Sequence, residues 1–342
     1  MDLAVYIGSI AVLVSLSKLR PAYDGISAGA IAIILALYSG LRQGGFDYDE
    51  YLLLIDIVRM GPEQSLLESL LISKEPLFGI VVHLVGLVSE NPVFVFLTLG
   101  VLAAGTKLIY AFSMRRDTAV FLGLYAIFLA PGLEFAAIRA GVALGFLALA
   151  TQNPLPKAWR ILSFVLASVS HVSVVPGGLF ISLTARINWR NILVFALTIT
   201  LATFLIFSSS APTVFERAAD YENNRGTAFA LVLPATTIAI FLFSVGLGRL
   251  RKVVGAEPMA GASFIVAMGF AFMGLGAALP IVTASTRFLE IAWFFGLSFF
   301  VRVIRFRSSP RLWVGFVLFL ALLAVGNLER STWKVLNSVH IY

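Results

Sequence analysis

The 342-residue chain is 59% hydrophobic and only 13% charged, with a mean hydropathy of +0.95. A soluble domain carries about a quarter charged residues, so this composition excludes one and leaves a membrane protein. The formal net charge of +7 raises nucleic acid as a partner, but the basic residues gather at the ends of apolar runs, which is a topology signal, and no nucleic acid is expected. The chain holds no cysteine, which excludes disulfides and thiolate chemistry.

The apolar runs are about 20 residues long, as an α-helix needs to cross about 30 Å of hydrocarbon, and they lack the alternation of barrel strands. Asp2 follows Met1 with no basic region, so the first run, 3–17, is expected to be a retained helix rather than a cleaved signal. Further spans are predicted at 25–41, 92–113, 118–131, 134–152, 191–210, 227–248, 259–280, 286–303 and 311–327. Pro76 to Val88 is too short to cross comfortably. Ile161 to Thr184 is long enough, yet HVSVVPGG, His171 to Gly178, puts a proline and two glycines in its middle. Treating the first as a short helix dipping in from outside and the second as a re-entrant hairpin places fifteen basic residues, from Lys18 to Arg311, on one side with only Asp24, Asp117 and Glu257. The expected fold is therefore an all-α polytopic membrane protein. It is a helical bundle of about ten spans plus the hairpin, one transmembrane domain over 1–342 with both termini outside.

On this map the longest loop, residues 42–75, lies outside and opens with LRQGGFDYDEY, Leu41 to Tyr51. Two short helices are predicted in it, Asp49 to Met60 and Glu63 to Ser73, split by Gly61-Pro62. The second carries Leu66, Leu67, Leu70 and Leu71 on one face and is expected to lie along the interface.

A charge inside a span is costly, and its default meaning is functional. Arg139, about five residues inside the run from Glu134, Arg287 with Glu290 one turn on, His171 at the hairpin break and His83 in the short helix all project to the outer half of the membrane. So do Arg42, Asp47, Asp49 and Glu75. Each has a plainer role open to it. Arg139 could snorkel, Arg287 could pair with Glu290, and His171 could bond the backbone freed at the Pro-Gly break. Asp47 and Asp49 could bind a divalent cation or serve as turn and N-cap residues, and Tyr48 and Tyr51 could be interface-belt residues or platforms for a sugar ring. Outside the membrane no nucleotide donors exist, so a glycosyl group must arrive activated on a lipid phosphate or diphosphate. Arginine pairs with such oxygens bidentately and stabilises the charge on the leaving group, and histidine can take the proton of an attacking hydroxyl.

These residues, in this order, resemble the EpsG-like branch of Wzy-type O-antigen and exopolysaccharide polymerases. The likeness rests on Arg42, Gly45, Asp47, Tyr48 and Tyr51; on Glu75-Pro76; on IRAGVA, Ile138 to Ala143; on HVSV, His171 to Val174; and on TRF, Thr286 to Phe288, and it covers about residues 35 to 300. Ala140 stands where the family usually has Gln, and Val172 where it has Tyr. The resemblance implies a C-type glycosyltransferase architecture in the bacterial inner membrane, with its active site facing the periplasm. It implies transfer of a growing glycan from undecaprenyl pyrophosphate to the non-reducing end of a new lipid-linked repeat unit, with no cofactor and no metal. Beyond that substrate and the membrane lipid, a chain-length regulator protein is a candidate partner. Arg139, Arg287 and His171 would then be catalytic, the arginines on the diphosphate and the histidine as base. Asp47, Tyr48, Tyr51, Glu75 and Glu290 would bind substrate, with Arg42 a third cation for phosphate. Three alternatives remain at this stage: a C-type transferase using a polyprenyl monophosphate sugar and a divalent cation held by Asp47 or Asp49, a lipid-linked oligosaccharide flippase, and an O-antigen ligase.

Overall fold

The computed structural model describes residues 3–44, 47–59, 75–152, 155–171, 174, 290–291, 293–298, 300–302 and 340–341. The predicted helix Glu63 to Ser73, Arg287, the second half of the hairpin, and all or most of each span from 191 onward lie outside these residues. Residue contacts divide the chain into two compact units, residues 1–175 with 331–342, and residues 176–330. In the second unit the described residues are helical, with Glu290, Trp293, Phe294 and Leu297 among those buried.

In the first unit, α1 (Leu3–Leu19) and α2 (Asp24–Gly40) are joined through a single 3-10 turn at Pro21–Tyr23. Proline suits such a start because its missing N–H would be unbonded there in any case. Past α2 the chain turns extended at β1 (Arg42–Gln43), which pairs antiparallel with β2 (His340–Ile341), and then bends at Gly44, whose φ of 98° is a left-handed value that glycine adopts freely. The elements α3 (Tyr48–Arg59) and α4 (Pro76–Gly86) follow. After them come α5 (Pro92–Phe112), α6 (Thr118–Phe128), the single turn α7 (Ala130–Leu133), α8 (Ile138–Ala150) and α9 (Lys157–Ser170). Among the described residues, two helical segments, Pro21–Gly40 and Pro92–Phe112, are long and apolar enough to cross a membrane.

Small residues let these helices approach closely. A Cβ on Gly100 of α5 would lie 2.5 Å from Ser39 Oγ, and one on Gly40 would lie 2.5 Å from Leu97 Cα, so α2 and α5 cross at a point only glycine permits. Lipid gives no hydrophobic drive between helices, so such backbone proximity is what holds a membrane bundle together. The same device joins α5 to α8, where a Cβ on Gly145 would lie 2.0 Å from Thr106 Oγ1.

The bundle has two chemically distinct ends. At one, Lys18 pairs with Asp117, the Asp24 carboxylate accepts from the backbone N–H groups of Thr118 and Ala119 at 3.2 and 3.1 Å, and Arg160 Nε donates to the Ala150 carbonyl at 3.1 Å. At the other, the C-terminal ends of α2 and α9 meet the N-terminal ends of α5 and α8. There α3 is docked by Tyr51, Ile55 and Val58, spaced to share one helical face, into a core with Phe78, Val81 and Val82 of α4, Val95, Phe96 and Leu99 of α5, and Ile138 and Val142 of α8. The loop that follows α2 is thus anchored to the bundle by apolar packing.

One expected element is corrected. The run from Glu134 to residue 152 is not a single helix: α7 ends at Leu133, residues 134–137 are irregular, and α8 begins at Ile138. Glu134 is turned into the interior, where its carboxylate lies 2.6 Å from Lys107 Nζ of α5. Arg139 consequently stands in the first turn of its helix instead of five residues inside it.

Candidate functional site

The far end of the bundle brings Arg139, Glu75 and His171 together from three elements. Arg139 projects from the first turn of α8. Glu75 immediately precedes α4 with extended backbone, and Pro76 follows as the first helical residue; the Glu75 carbonyl accepts from the Phe78 N–H at 3.0 Å. His171 closes α9, its N–H donating to the Ala167 carbonyl at 3.2 Å while its backbone turns extended. Glu75 stands between the other two: Oε2 lies 2.9 Å from Arg139 Nη1, and Oε1 lies 3.6 Å from His171 Nε2. All three side chains keep partial access to solvent, at 15% for Arg139, 14% for Glu75 and 21% for His171.

The Arg139 guanidinium is seated on aromatic faces, with Cζ 4.6 Å from the Tyr51 ring centroid and 5.5 Å from that of Phe78, an arrangement in which the ring quadrupoles attract the cation. Tyr51 is buried, which pushes its hydroxyl above the usual tyrosine range against the pull of Arg139. Its ring lies under a guanidinium and against Phe78 and Phe96, at 5.8 and 6.1 Å between centroids, so in the described structure it is a seat for Arg139 and not an open platform for a sugar. Tyr48 stacks on Phe96 at 5.1 Å. Glu50 on α3 approaches Arg139 Nη2 to 4.0 Å.

Asp47 stands just before α3, its carbonyl accepting from the Tyr51 N–H at 3.0 Å, and Asp49 lies in the first turn of that helix. Among the described residues no group of three His, Cys, Asp or Glu side chains is placed to hold a metal ion. His83 is partly buried on α4 and makes no ion pair among the described residues. Arg42 is buried beside Phe96, its Cζ 5.5 Å from the ring centroid. Glu290 is buried in the second unit, and Arg287 lies outside the described residues.

The sequence did not single out Phe78, Glu50, or a buried charge network behind the site. Lys107 and Glu134 are fully buried and 2.6 Å apart; Lys107 also donates to the carbonyls of Gly141 at 2.6 Å and Ala103 at 3.3 Å, and the Tyr125 hydroxyl donates to the other Glu134 oxygen. The available signal was a lysine about five residues inside the end of an apolar helix, roughly 7.5 Å deep at 1.5 Å per residue, which charge cost alone marks as paired.

The family whose sequence model matches is the EpsG family, over residues 26–333. The chain belongs to the EpsG family. Comparison with curated proteins gave no match, and neither did comparison with solved structures. Family membership and the apolar helices make this a helical membrane protein with a glycosyltransferase-like role of the polysaccharide-polymerase type.

Proposed function

We propose that this EpsG-family chain polymerises a lipid-linked glycan outside the cytoplasm, moving a growing chain from undecaprenyl pyrophosphate onto the non-reducing end of a new repeat unit. The observation that carries this is the meeting of Arg139, Glu75 and His171, 96 positions apart between Glu75 and His171, at the bundle end opposite Lys18, Arg115 and Arg160. Basic residues gather on the cytoplasmic side, so the opposite end faces outward. The acceptor hydroxyl oxygen attacks the anomeric carbon; the new C–O bond forms as the bond from that carbon to the diphosphate oxygen breaks, and the diphosphate leaves with the electron pair. Arg139 stabilises that developing charge, as a guanidinium on an aromatic seat does without further reorganisation. When the diphosphate takes over Arg139, Glu75 is released toward Nε2 of His171. A carboxylate there holds the proton on Nε2 and leaves Nδ1 to accept the proton of the hydroxyl. Glu75 in this scheme orients the base and is not part of a sugar-binding mouth. A bacterial inner membrane, a span count near ten and a C-type architecture accord with this assignment.

In a host lacking its own polymerase, the wild type is expected to restore a ladder of long glycans. His171→Ala should slow lipid-linked product formation by roughly 10²- to 10⁴-fold, the usual share of a general base. Equal ladders from wild type, Arg139→Ala and His171→Ala at equal protein level would overturn the assignment. Loss of activity in EDTA with recovery on Mg²⁺ would favour the monophosphate-dependent transferase, transport without glycan lengthening by purified protein a flippase, and use of lipid A core as acceptor a ligase.

A further inference from the structure

Arg42 is a buried charge of the described bundle that neither the packing nor the scheme above accounts for. Its side chain is 1% exposed, yet Nε, Nη1 and Nη2 all lack a hydrogen-bond partner among the described residues. A guanidinium carries five N–H donors in a rigid fork and cannot shed its charge near neutral pH, so burying it bare is among the costliest placements a side chain can have. What surrounds it compensates only from a distance. Phe96 offers a ring face at 5.5 Å, and the fields of Tyr51, Asp47, Tyr48 and Glu134 reach it without any of these groups bonding it. Burial accordingly pulls its pKa down to about 10, against the pull of those four groups.

We infer that the Arg42 guanidinium is a built oxyanion site, shaped for the diphosphate headgroup of a lipid. Three unbonded nitrogens at one fork exceed what a single carboxylate meets bidentately, whereas the oxygens of a diphosphate are numerous and spread enough to satisfy them. Arg42 lies over the Phe96 ring at 5.5 Å and Arg139 over the Tyr51 ring at 4.6 Å, and those two rings are 6.1 Å apart between centroids, so two guanidinium groups stand on neighbouring rings, an arrangement matched to an anion with two charged centres. Position also suits a ligand entering from outside the bundle. Arg42 sits on the connection between α2 and α3, tied to His340–Ile341 by a two-residue ladder, a short pairing of the kind that opens locally at small cost. The oxyanion class stands on this geometry alone; its being carried by a lipid rests on the polymerase assignment.

The test uses the purified full chain in nanodiscs with three probes: inorganic phosphate, inorganic diphosphate and farnesyl diphosphate. Wild type should bind the diphosphates more tightly than phosphate. Arg42→Met should weaken that binding about tenfold or more, the loss expected when charge-assisted hydrogen bonds to an anion go, and Arg42→Lys should fall between. Tighter binding of farnesyl diphosphate than of the inorganic form supports a lipid headgroup; equal binding overturns the lipid half and leaves a soluble anion. In wild type, diphosphate should also slow hydrogen exchange at the Arg42 and Gln43 amides, a measurement that needs no variant to fold. Unchanged exchange with unchanged affinity in Arg42→Met overturns the site. If His171→Ala abolishes product while Arg42→Met binds as wild type does, this inference falls and the polymerase assignment stands. If wild type makes no product yet Arg42→Met loses diphosphate, the reverse holds.

Discussion

Lys107 and Arg42 are both cations buried in the first unit, and the chain treats them in opposite ways. The ammonium of Lys107 has three N–H donors and three acceptors: Glu134 at 2.6 Å, the Gly141 carbonyl at 2.6 Å and the Ala103 carbonyl at 3.3 Å. Glu134 in turn receives the Tyr125 hydroxyl on its second oxygen. Among the described residues, the guanidinium of Arg42 has no hydrogen-bond partner on any of its three nitrogens. Both are almost wholly removed from solvent, so burial alone does not separate structure from function; the number of bonds that answer it does. A cation saturated by its own chain holds the fold in place, here by tying α5 to the carbonyl of Gly141, two residues past Arg139. A cation left bare by the described residues is the one with bonding capacity to spare for a ligand.

The largest expected effect breaks the saturated network. Lys107→Met leaves the Glu134 carboxylate buried without its partner, a loss of roughly 3–5 kcal/mol for a buried pair. The readout is the thermal midpoint of the purified protein, or failure to accumulate in the membrane. The double variant Lys107→Met with Glu134→Leu removes both charges and should recover most of that loss, because a buried pair replaced by apolar groups of similar volume is close to neutral. A double variant no more stable than Lys107→Met would show that the network does more than cancel its own charges.

A smaller effect sharpens the same comparison at the seam that Lys107 crosses. Gly145→Ala would put a methyl 2.0 Å from Thr106 Oγ1 and 2.9 Å from Thr106 Cβ. Thr106 cannot easily turn aside, since its hydroxyl already donates to the Leu102 carbonyl at 2.7 Å, so α5 and α8 must part, at about 1–3 kcal/mol for overpacking. Gly105→Ala on the same helix meets nothing within 4 Å and should be neutral or stabilising by up to about 1 kcal/mol, the helix-propensity difference. Thermal midpoints that fall equally for both would mean that the α5–α8 seam is looser than its contacts indicate.

How far the sequence speaks follows the same line between local and distant. The helices expected at 25–41 and 92–113 end within a residue of Asp24–Gly40 and Pro92–Phe112, because an unbroken apolar run bounded by charge or proline is a local signal. Arg139 and His171 are legible as polar groups set in apolar surroundings, and both reach Glu75. Their mode of meeting is not. Glu75 bridges them from a position far along the chain from both, and nothing in its neighbours says which of two distant groups its oxygens will face. A basic residue near a helix end, such as Lys107, reads first as topology, while its partner Glu134, 27 positions on, reads as the start of a span. Tyr51 was open between interface and sugar, and only the fold puts it under Arg139.

The smallest expected effect is the most discriminating. Arg42→Met keeps most of the unbranched stem against Phe96 and removes a charge whose nitrogens no described residue bonds, so no described partner is left stranded behind it. With no anion present, the variant should therefore be as stable as wild type or slightly more stable, in contrast to Lys107→Met, although both substitutions delete a buried cation in favour of the same thioether. With diphosphate added the order should reverse. Wild type gains stability as RT ln(1 + [L]/Kd), about 2.7 kcal/mol at a hundredfold excess over Kd, while Arg42→Met gains little. Thermal midpoints with and without diphosphate read both halves in one experiment. If Arg42→Met without ligand falls as far as Lys107→Met, Arg42 holds the fold as Lys107 does, and the contrast between a saturated cation and a bare one disappears.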